Sequence, residues 1–379
     1  MLENVREADY VIVGSGLTGA VIAHSLNAAG RDVLVLERRD HIAGLCFDKV
    51  HDDSGLRYQV YGPHAFRTRS DELWDWLNGF VSFYPFKLRI KTNIDGDFYT
   101  WPPYRSVIKQ LCKGDIEPGF SGTPTNFEEA SLSKMPKVIY EKFVKSYSEK
   151  QWGMPAEDLW ISLSGRFKVK EDHEEDCLFD YKYQGLPSEG FSGLVGKFLK
   201  DVPIVMNYDF KLSRDLKLAK KKLIYSGALD ELFDFKFGKL GYRGMKHITQ
   251  YYKGNGKEHR HSHAVYNFPA KKPDHIRSID WAHWQSPSTD IPHDDALITY
   301  GIPKAPENTE ENAYPMPTDM NLKILEKYQD CAKEMSTLIS CGRLADYKYY
   351  DMNHAMARGL SIARELLGTE YKGPIIDQP

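Results

Sequence analysis

The stretch DYVIVGSGLTGAVIAHSLNAAGRDVLVLE, residues 9 to 37, decides the fold. DYVIVG is a short β-branched run, LTGAVIAHSLNAAG reads as a helix closing on Gly30, and RDVLVLE is a second buried strand. In the turn, Gly14, Gly16 and Gly19 of GSGLTG fit the G-x-G-x-x-G fingerprint: a tight turn, a close approach of backbone to a pyrophosphate, and close helix packing. The helix N-terminus then faces the phosphates. Glu37 ends the second strand, where a carboxylate accepts hydrogen bonds from a ribose diol and repels a 2'-phosphate, so the ligand expected is FAD or NAD rather than NADP. The sequel ERRDHIAG carries the ribose acid into a glycine-bearing loop and favours FAD.

The rest of the chain fits an ordinary folded protein. Of 379 residues 41% are hydrophobic, and 50 Lys and Arg against 53 Asp and Glu leave a net charge of -3, which argues against a broad basic field for nucleic acid or anionic membrane. Any anion must be met locally. The five cysteines form no CxxC pair, and their odd number suits reduced thiols in a cytoplasm better than a disulfide framework. MLENVREADYVIVG lacks the plan of a secretory signal, and the most apolar window, VIVGSGLTGAVIAHSLNAAG, is interrupted too often by Gly, Ser, His and Asn for a membrane span. The expectation is a cytoplasmic protein with no membrane insertion.

Along the chain, SDELWDWLNGFVSF predicts a helix capped by Ser70, and RIKTNIDGDFYTW predicts a hairpin about Asp95-Gly96. Residues 127 to 200 read as mostly helical, interrupted by KVKEDHEEDCLFDYKYQGLPSEG, a long loop expected to be mobile. KLIYSGAL, HAVYNF and ALITYG read as strands, ALDELFDFKFG as a helical piece, and the end of the chain as helices over 319 to 336 and 351 to 367. Near that end, GRLADYKYYDM sets an Arg, three tyrosines and two Asp before a helix that Asp351 is placed to cap.

YGPHAFRT at 61 to 68, YSEKQWG at 147 to 153, YQGLP at 183 to 187, YSGALDELFDFKFGKLGYRG at 225 to 244, YPMP at 314 to 317 and GRLADYKYYDM at 342 to 352 follow one another in an order and spacing that resemble the flavin-dependent UDP-galactopyranose mutases, from about residue 9 to 367. The resemblance implies an α/β fold: an FAD-binding Rossmann-like domain with an inserted helical domain and an antiparallel β-sheet domain. The expected division is an FAD-binding part over 1-104, a helical domain over 105-200 with a mobile substrate loop at about 168-187, a sheet domain over 201-318 that returns to the FAD domain, and a C-terminal FAD-binding part over 319-379. The implied reaction interconverts pyranose and furanose forms of a nucleoside-diphosphate sugar through a covalent adduct with N5 of reduced FAD, with no net redox change. The same likeness allows a homodimer.

Carried over residue by residue, the resemblance puts Gly14, Gly16, Thr18, Gly19, Glu37, Arg38, Gly44, Leu45, Tyr61, Gly342, Arg343, Tyr349 and Met352 at the cofactor. Tyr147, Trp152, Arg166, Tyr183, Asn267 and Asp351 would bind substrate, with His64 near the flavin's reactive edge and Arg277, Lys170, Tyr314 and Tyr349 on the diphosphate. Several positions depart from the family pattern. Lys170 is the best counterpart of a loop arginine and lacks its bidentate fork, with Arg166 as a substitute; Leu45 replaces a glycine, Arg67 a histidine, Gly244 a serine, Tyr84 an asparagine, and TWPPY a leucine-proline segment. EDHEED is most simply a solvated acidic loop.

Other chemistries have less behind them. HRHSH, with His259, His261 and His263, has no Cys or carboxylate at a metal-site spacing, and no G-x-S-x-G elbow supports a hydrolase. Two alternatives stay open: a redox flavoenzyme of the amine oxidase or desaturase type, and a flavin-bearing scaffold without chemistry. The sugar and the base are left unspecified.

Overall fold

The strand Ala8–Val13 occupies the centre of a five-stranded sheet in the order Ile204–Val205, Val33–Leu36, Ala8–Val13, Ala219–Tyr225, Leu338–Ser340, every neighbouring pair parallel. All four residues of VLVL are buried, as expected for a parallel strand covered on both faces. The structure is a computed structural model that describes residues 5–114, 116–166, 169–291 and 294–376. Helix Leu17–Ala28 follows the glycine turn and ends as the sequence predicts, with Gly30 at φ +70° and the Arg31 N–H donating to the Leu26 carbonyl. Helix Met352–Leu367 lies against it. A Cβ on Gly359 would stand 2.8 Å from the Thr18 carbonyl oxygen, and Thr18 Oγ1 donates to the Ala355 carbonyl at 2.9 Å.

A second sheet has seven strands, in the order Tyr314–Pro315, Tyr242–Tyr252, Ala296–Lys304, Arg277–Asp280, Val265–Asn267, Ile90–Ile94, Asp97–Trp101. Asp95 and Gly96, at φ +55° and +101°, make the hairpin turn read from the sequence. The sheet is not purely antiparallel, because Val265–Asn267 runs parallel to Ile90–Ile94. That pairing brings two strands from before residue 105 into the sheet and crosses the expected boundaries. A three-stranded sheet of Phe66–Thr68, Tyr183–Pro187 and Phe83–Pro85 anchors the end of the long loop.

Between these sheets, residues 105–166 are mostly helical: Arg105–Leu111, Phe127–Leu132, a run over 137–152 and the 3-10 segment Ile161–Arg166. The 137–152 run is wound as a π-helix over Tyr140–Lys145, a geometry that re-aims the face following it. Ser70 Oγ accepts from the Leu73 N–H at 3.1 Å, so that cap is as read. ALDELFDFKFG is helical only over Leu229–Leu232, because Asp234 and Phe235 take positive φ and the Asp230 carboxylate accepts from the Leu240 N–H. Asp351 stands at the N-cap position of Met352–Leu367, but its side chain makes no capping bond; it pairs with Arg67 instead.

The Gly359 crossing sets one expectation. Gly359→Val would force the two helices apart and cost roughly 1 to 3 kcal/mol of stability, as overpacking does; a lowered urea midpoint measures it, and an unchanged midpoint would show that the crossing yields.

Candidate functional site

A cavity of about 690 Å³ runs from the carboxyl edge of the parallel sheet to the face of the seven-stranded sheet. At the first end, the loops after four parallel strands supply Gly14, Glu37, Ser226 and Gly342, as expected of a ligand crevice in an open α/β sheet. The glycines of the turn differ in what they accommodate. A Cβ on Gly19 would meet the Gly14 carbonyl oxygen at 2.1 Å and one on Gly14 would meet Ser226 Oγ at 2.2 Å, whereas one on Gly16 has no protein atom within 4 Å. Packing accounts for two of the three. Gly16 leaves space that belongs to the cavity, and the backbone is bare there for a ligand to approach.

Glu37 is more engaged than the sequence indicates. Its Oε2 accepts from the Ser15 N–H at 2.8 Å and from Ser15 Oγ at 2.7 Å, and its Oε1 from the Arg39 N–H at 2.9 Å, which leaves Oε1 one acceptor site for a ribose hydroxyl. Arg38 lines the cavity but is paired to Glu231 at 2.7 Å. Thr18, Gly44, Leu45, Gly342, Arg343 and Met352 also line it, the Thr18 hydroxyl being used on helix Met352–Leu367.

The second end is built by the strand register and by the helix after the π-turn. Asn267 and Arg277, ten residues apart, are cross-strand partners, so both face one chamber. Helix Ser146–Trp152 presents Tyr147, Ser148, Gln151 and Trp152 to it at helical spacing. Arg277 Nη2 donates to the Tyr147 hydroxyl at 2.7 Å. Tyr314 and Tyr349 stack at 5.4 Å, Trp152 meets both edge-on, and the Arg343 guanidinium lies 4.9 Å and 4.5 Å from their ring centres. Burial, followed by Tyr349, holds the Tyr314 phenol above its ordinary pKa, so it is a hydroxyl donor at neutral pH.

Within this chamber the Nε groups of Arg67, Arg277 and Arg343 are buried without a hydrogen-bond partner. Arg277 and Arg343 form no ion pair among the described residues. His64 donates from Nδ1 to the Gly62 carbonyl at 2.8 Å, and burial, followed by Arg343, pushes its pKa down to about 4. It is a neutral imidazole whose Nε2 is an acceptor.

Three of the expected residues are not brought to the cavity. The Lys170 ammonium is buried under its own loop, donating to the Glu175 carbonyl at 2.5 Å and lying 3.9 Å from Cys177 Sγ, because backbone pairing with Pro103 and Arg105 turns the loop there. Tyr183 stacks on Trp74 at 5.0 Å, and Tyr61 bonds His41 at 2.8 Å. The Arg166 side chain and residues 167–168 lie outside the described residues. In place of Lys170 the chamber holds Arg67, noticed in the sequence as a departure but given no role there. Gln151, Thr92 and Phe179 also face it and carried no signal. The acidic loop is not simply solvated: Glu171 pairs with Arg105 at 2.6 Å, Asp176 with His263 at 2.9 Å, and Glu175 with Lys87. Among the described residues no group of three or more His, Cys, Asp or Glu is placed to hold a metal, and no helix is long and apolar enough to cross a membrane.

Comparison with known proteins bears on this geometry. The UDP-galactopyranose mutase family profile matches residues 142–349, and that of an NAD(P)-binding Rossmann-like domain matches residues 12–80. The chain is 28% identical to a probable UDP-galactopyranose mutase of Klebsiella pneumoniae, over 96% of each chain, and 26% identical to the dTDP-fucopyranose mutase of Escherichia coli, over 93% of this chain and 97% of that one. In fold it resembles a crystal structure of reduced UDP-galactopyranose mutase with a TM-score of 0.77 at 16% identity, covering 96% of this chain and 94% of that one. A putrescine oxidase structure follows with a TM-score of 0.61 at 12% identity, covering 96% and 99%.

Buried histidines make the fold sensitive to acid. His64, His247 and His261 are each pushed down to about 4, by burial first. Between that value and the ordinary 6.5 the unfolded chain binds protons that the folded chain does not, so stability rises with pH across this window and falls on acidification. The urea midpoint is expected to drop between pH 7 and pH 4.5, and His247→Gln to reduce the drop; a midpoint that holds steady over that range would contradict the assignment.

Proposed function

The chain belongs to the UDP-galactopyranose mutase family, an isomerase acting on sugar nucleotides, and from that premise we propose that it interconverts pyranose and furanose forms of a nucleoside-diphosphate sugar on FAD held in its reduced state. The observation that carries this reading is the pair of half-buried arginines, Arg277 and Arg343, whose Nε groups are buried with no acceptor and which form no ion pair among the described residues. An unpaired buried cation is costly, and a dianionic diphosphate is the ligand that offsets it.

The chain's residues fit FAD at the other end of the cavity. Gly16 leaves bare backbone for the pyrophosphate, the N-terminus of helix Leu17–Ala28 faces it, and Glu37 Oε1 keeps an acceptor for the ribose. Reduced FAD, when bound, would supply a nucleophilic electron pair at N5, so that ring opening and reclosure would need no net redox change. The protein's own part is positioning and electrostatics. Arg277 and the Tyr314 hydroxyl meet the diphosphate as it leaves and hold it for return, with Tyr349 and Arg343 stacked behind. Asn267 and Trp152 flank the sugar, and the neutral His64 offers an acceptor at Nε2 without adding charge. An amine oxidase reading fits less well, since Arg277 and Arg343 would repel a cationic substrate.

The test is turnover by the dithionite-reduced protein of UDP-galactose and dTDP-fucose, with furanose product separated by chromatography. Product formed only with reduced flavin supports the reading, and its failure with both nucleotides would remove it. Within that assay Arg277→Ala should lower kcat/KM by on the order of 10²-fold, the scale of losing a donor aimed at developing charge. Lys170→Met should change it less than about threefold, because a side chain held inside its loop contributes no charge to the transition state; a loss as large as that of Arg277→Ala would return Lys170 to the diphosphate. Gly16→Ala should keep the thermal midpoint of the flavin-free protein while lowering the flavin that co-purifies, and full flavin retention would place the pyrophosphate elsewhere.

A further inference from the structure

Arg67 joins three parts of the molecule that are distant in sequence. It stands on the strand Phe66–Thr68, its Nη2 donates to Asp351 Oδ2 at 2.6 Å, and its guanidinium carbon lies 3.6 Å from the centre of the Phe179 ring. Asp351 precedes helix Met352–Leu367, whose first turn lines the cavity, and Phe179 belongs to the loop that walls it. The charge-assisted bond holds one end of the guanidinium while its carbon sits over the ring.

We propose that Arg67 is a positioning residue that couples the 169–182 loop to the Asp351 carboxylate, so that the seating of Phe179 and the orientation of Asp351 are one event. The placement of other contacts supports this. The loop's outer fasteners, Glu171 with Arg105, Glu175 with Lys87 and Lys182 with Asp71, join side chains that are all more than a third exposed, and such pairs hold weakly. The Arg67 stack is an inner fastener, with both partners of the ion pair mostly covered, at 13% and 24% exposure, beside the pair of Asp176 with His263 further along the loop. Loop backbone is drawn to the same point: Gln184 Nε2 donates to the Phe179 carbonyl at 3.0 Å and the Leu178 N–H to the Leu88 carbonyl at 2.7 Å. The Asp351 carboxylate turns to Arg67 and makes no capping bond to its own helix. The bearing of this coupling on catalysis rests on the mutase reading; the coupling itself does not.

The experiment therefore uses the full chain without sugar nucleotide. Cleavage by a glutamate-specific protease after Glu171, Glu174 or Glu175 reports how often the loop opens. Asp351→Asn changes a residue outside the loop, yet it should raise the cleavage rate about fivefold, the scale of a partly desolvated cation-π contact. Phe179→Ala should do the same, and the double variant should be no faster than either single one. Phe179→Tyr should restore the wild-type rate and Phe179→Leu should not, which separates an aromatic face over a cation from simple packing. Cleavage at the wild-type rate in Asp351→Asn, multiplying effects in the double variant, or rescue by leucine would each overturn the proposal. Should the loop behave as expected while no sugar nucleotide turns over, the coupling stands and the mutase reading falls alone.

Discussion

The close crossing of helices Leu17–Ala28 and Met352–Leu367 is the constraint on which the site depends. Thr18 and Ala355 are 337 positions apart, and the hydrogen bond between them, with the bare Gly359 resting on the Thr18 carbonyl, returns the end of the chain to the glycine turn. Because that helix starts at the cavity, the crossing also fixes where Gly342, Arg343, Tyr349 and Asp351 stand. A polar, aromatic cluster near the C-terminus thus becomes the middle of a site whose first element is the N-terminal strand. The parallel register of Leu338–Ser340 beside Ala219–Tyr225 completes the return, since strands in one parallel sheet deliver their following loops to the same edge.

The second sheet makes a different contribution. An antiparallel pair sets side chains directly opposite one another, so the ten-residue spacing of Asn267 and Arg277 is converted into adjacency by the pairing of Val265–Asn267 with Arg277–Asp280. The π-turn before Ser146 performs the corresponding task on the helical side, where Tyr147 meets Arg277. Strands therefore carry Arg277 and Tyr314 and a helix carries Arg343, while the 169–182 loop contributes an aromatic wall rather than a charge.

What was legible in the sequence follows from the range of the forces involved. The glycine turn, the Ser70 cap and the Asp95-Gly96 hairpin are local, decided within a few residues, and each is where the pattern placed it. Motif resemblance located Arg277, Tyr314, Tyr349 and Trp152, which the fold brings together. Lys170 and Asp351 were less readable because tertiary partners claim their side chains. Lys170 was assigned by position in a loop, and nothing local reveals that the ammonium turns inward to the Glu175 carbonyl. Asp351 has the local signature of a cap, but a charged partner on a strand 284 residues away attracts a carboxylate more strongly than an N–H one turn along. The parallel pairing of Val265–Asn267 with Ile90–Ile94 was equally out of reach, since register between distant strands leaves no periodicity in either.

Charges that balance over the whole chain do not balance inside its cavity. With a net charge of -3 the protein attracts no anion at long range, yet its cavity is lined by Arg38, Arg39, Arg67, Arg69, Arg277 and Arg343. Arg38 and Arg67 are neutralised by Glu231 and Asp351. Arg277 and Arg343 instead lean on the hydroxyl and ring faces of tyrosines, which orient a guanidinium but do not cancel its charge. Carboxylates in their place would make the chamber more stable and leave an entering diphosphate to displace them. Tyrosines keep both cations oriented and unspent, so on the proposed reading the field that would meet a diphosphate is in place before negative charge grows on it.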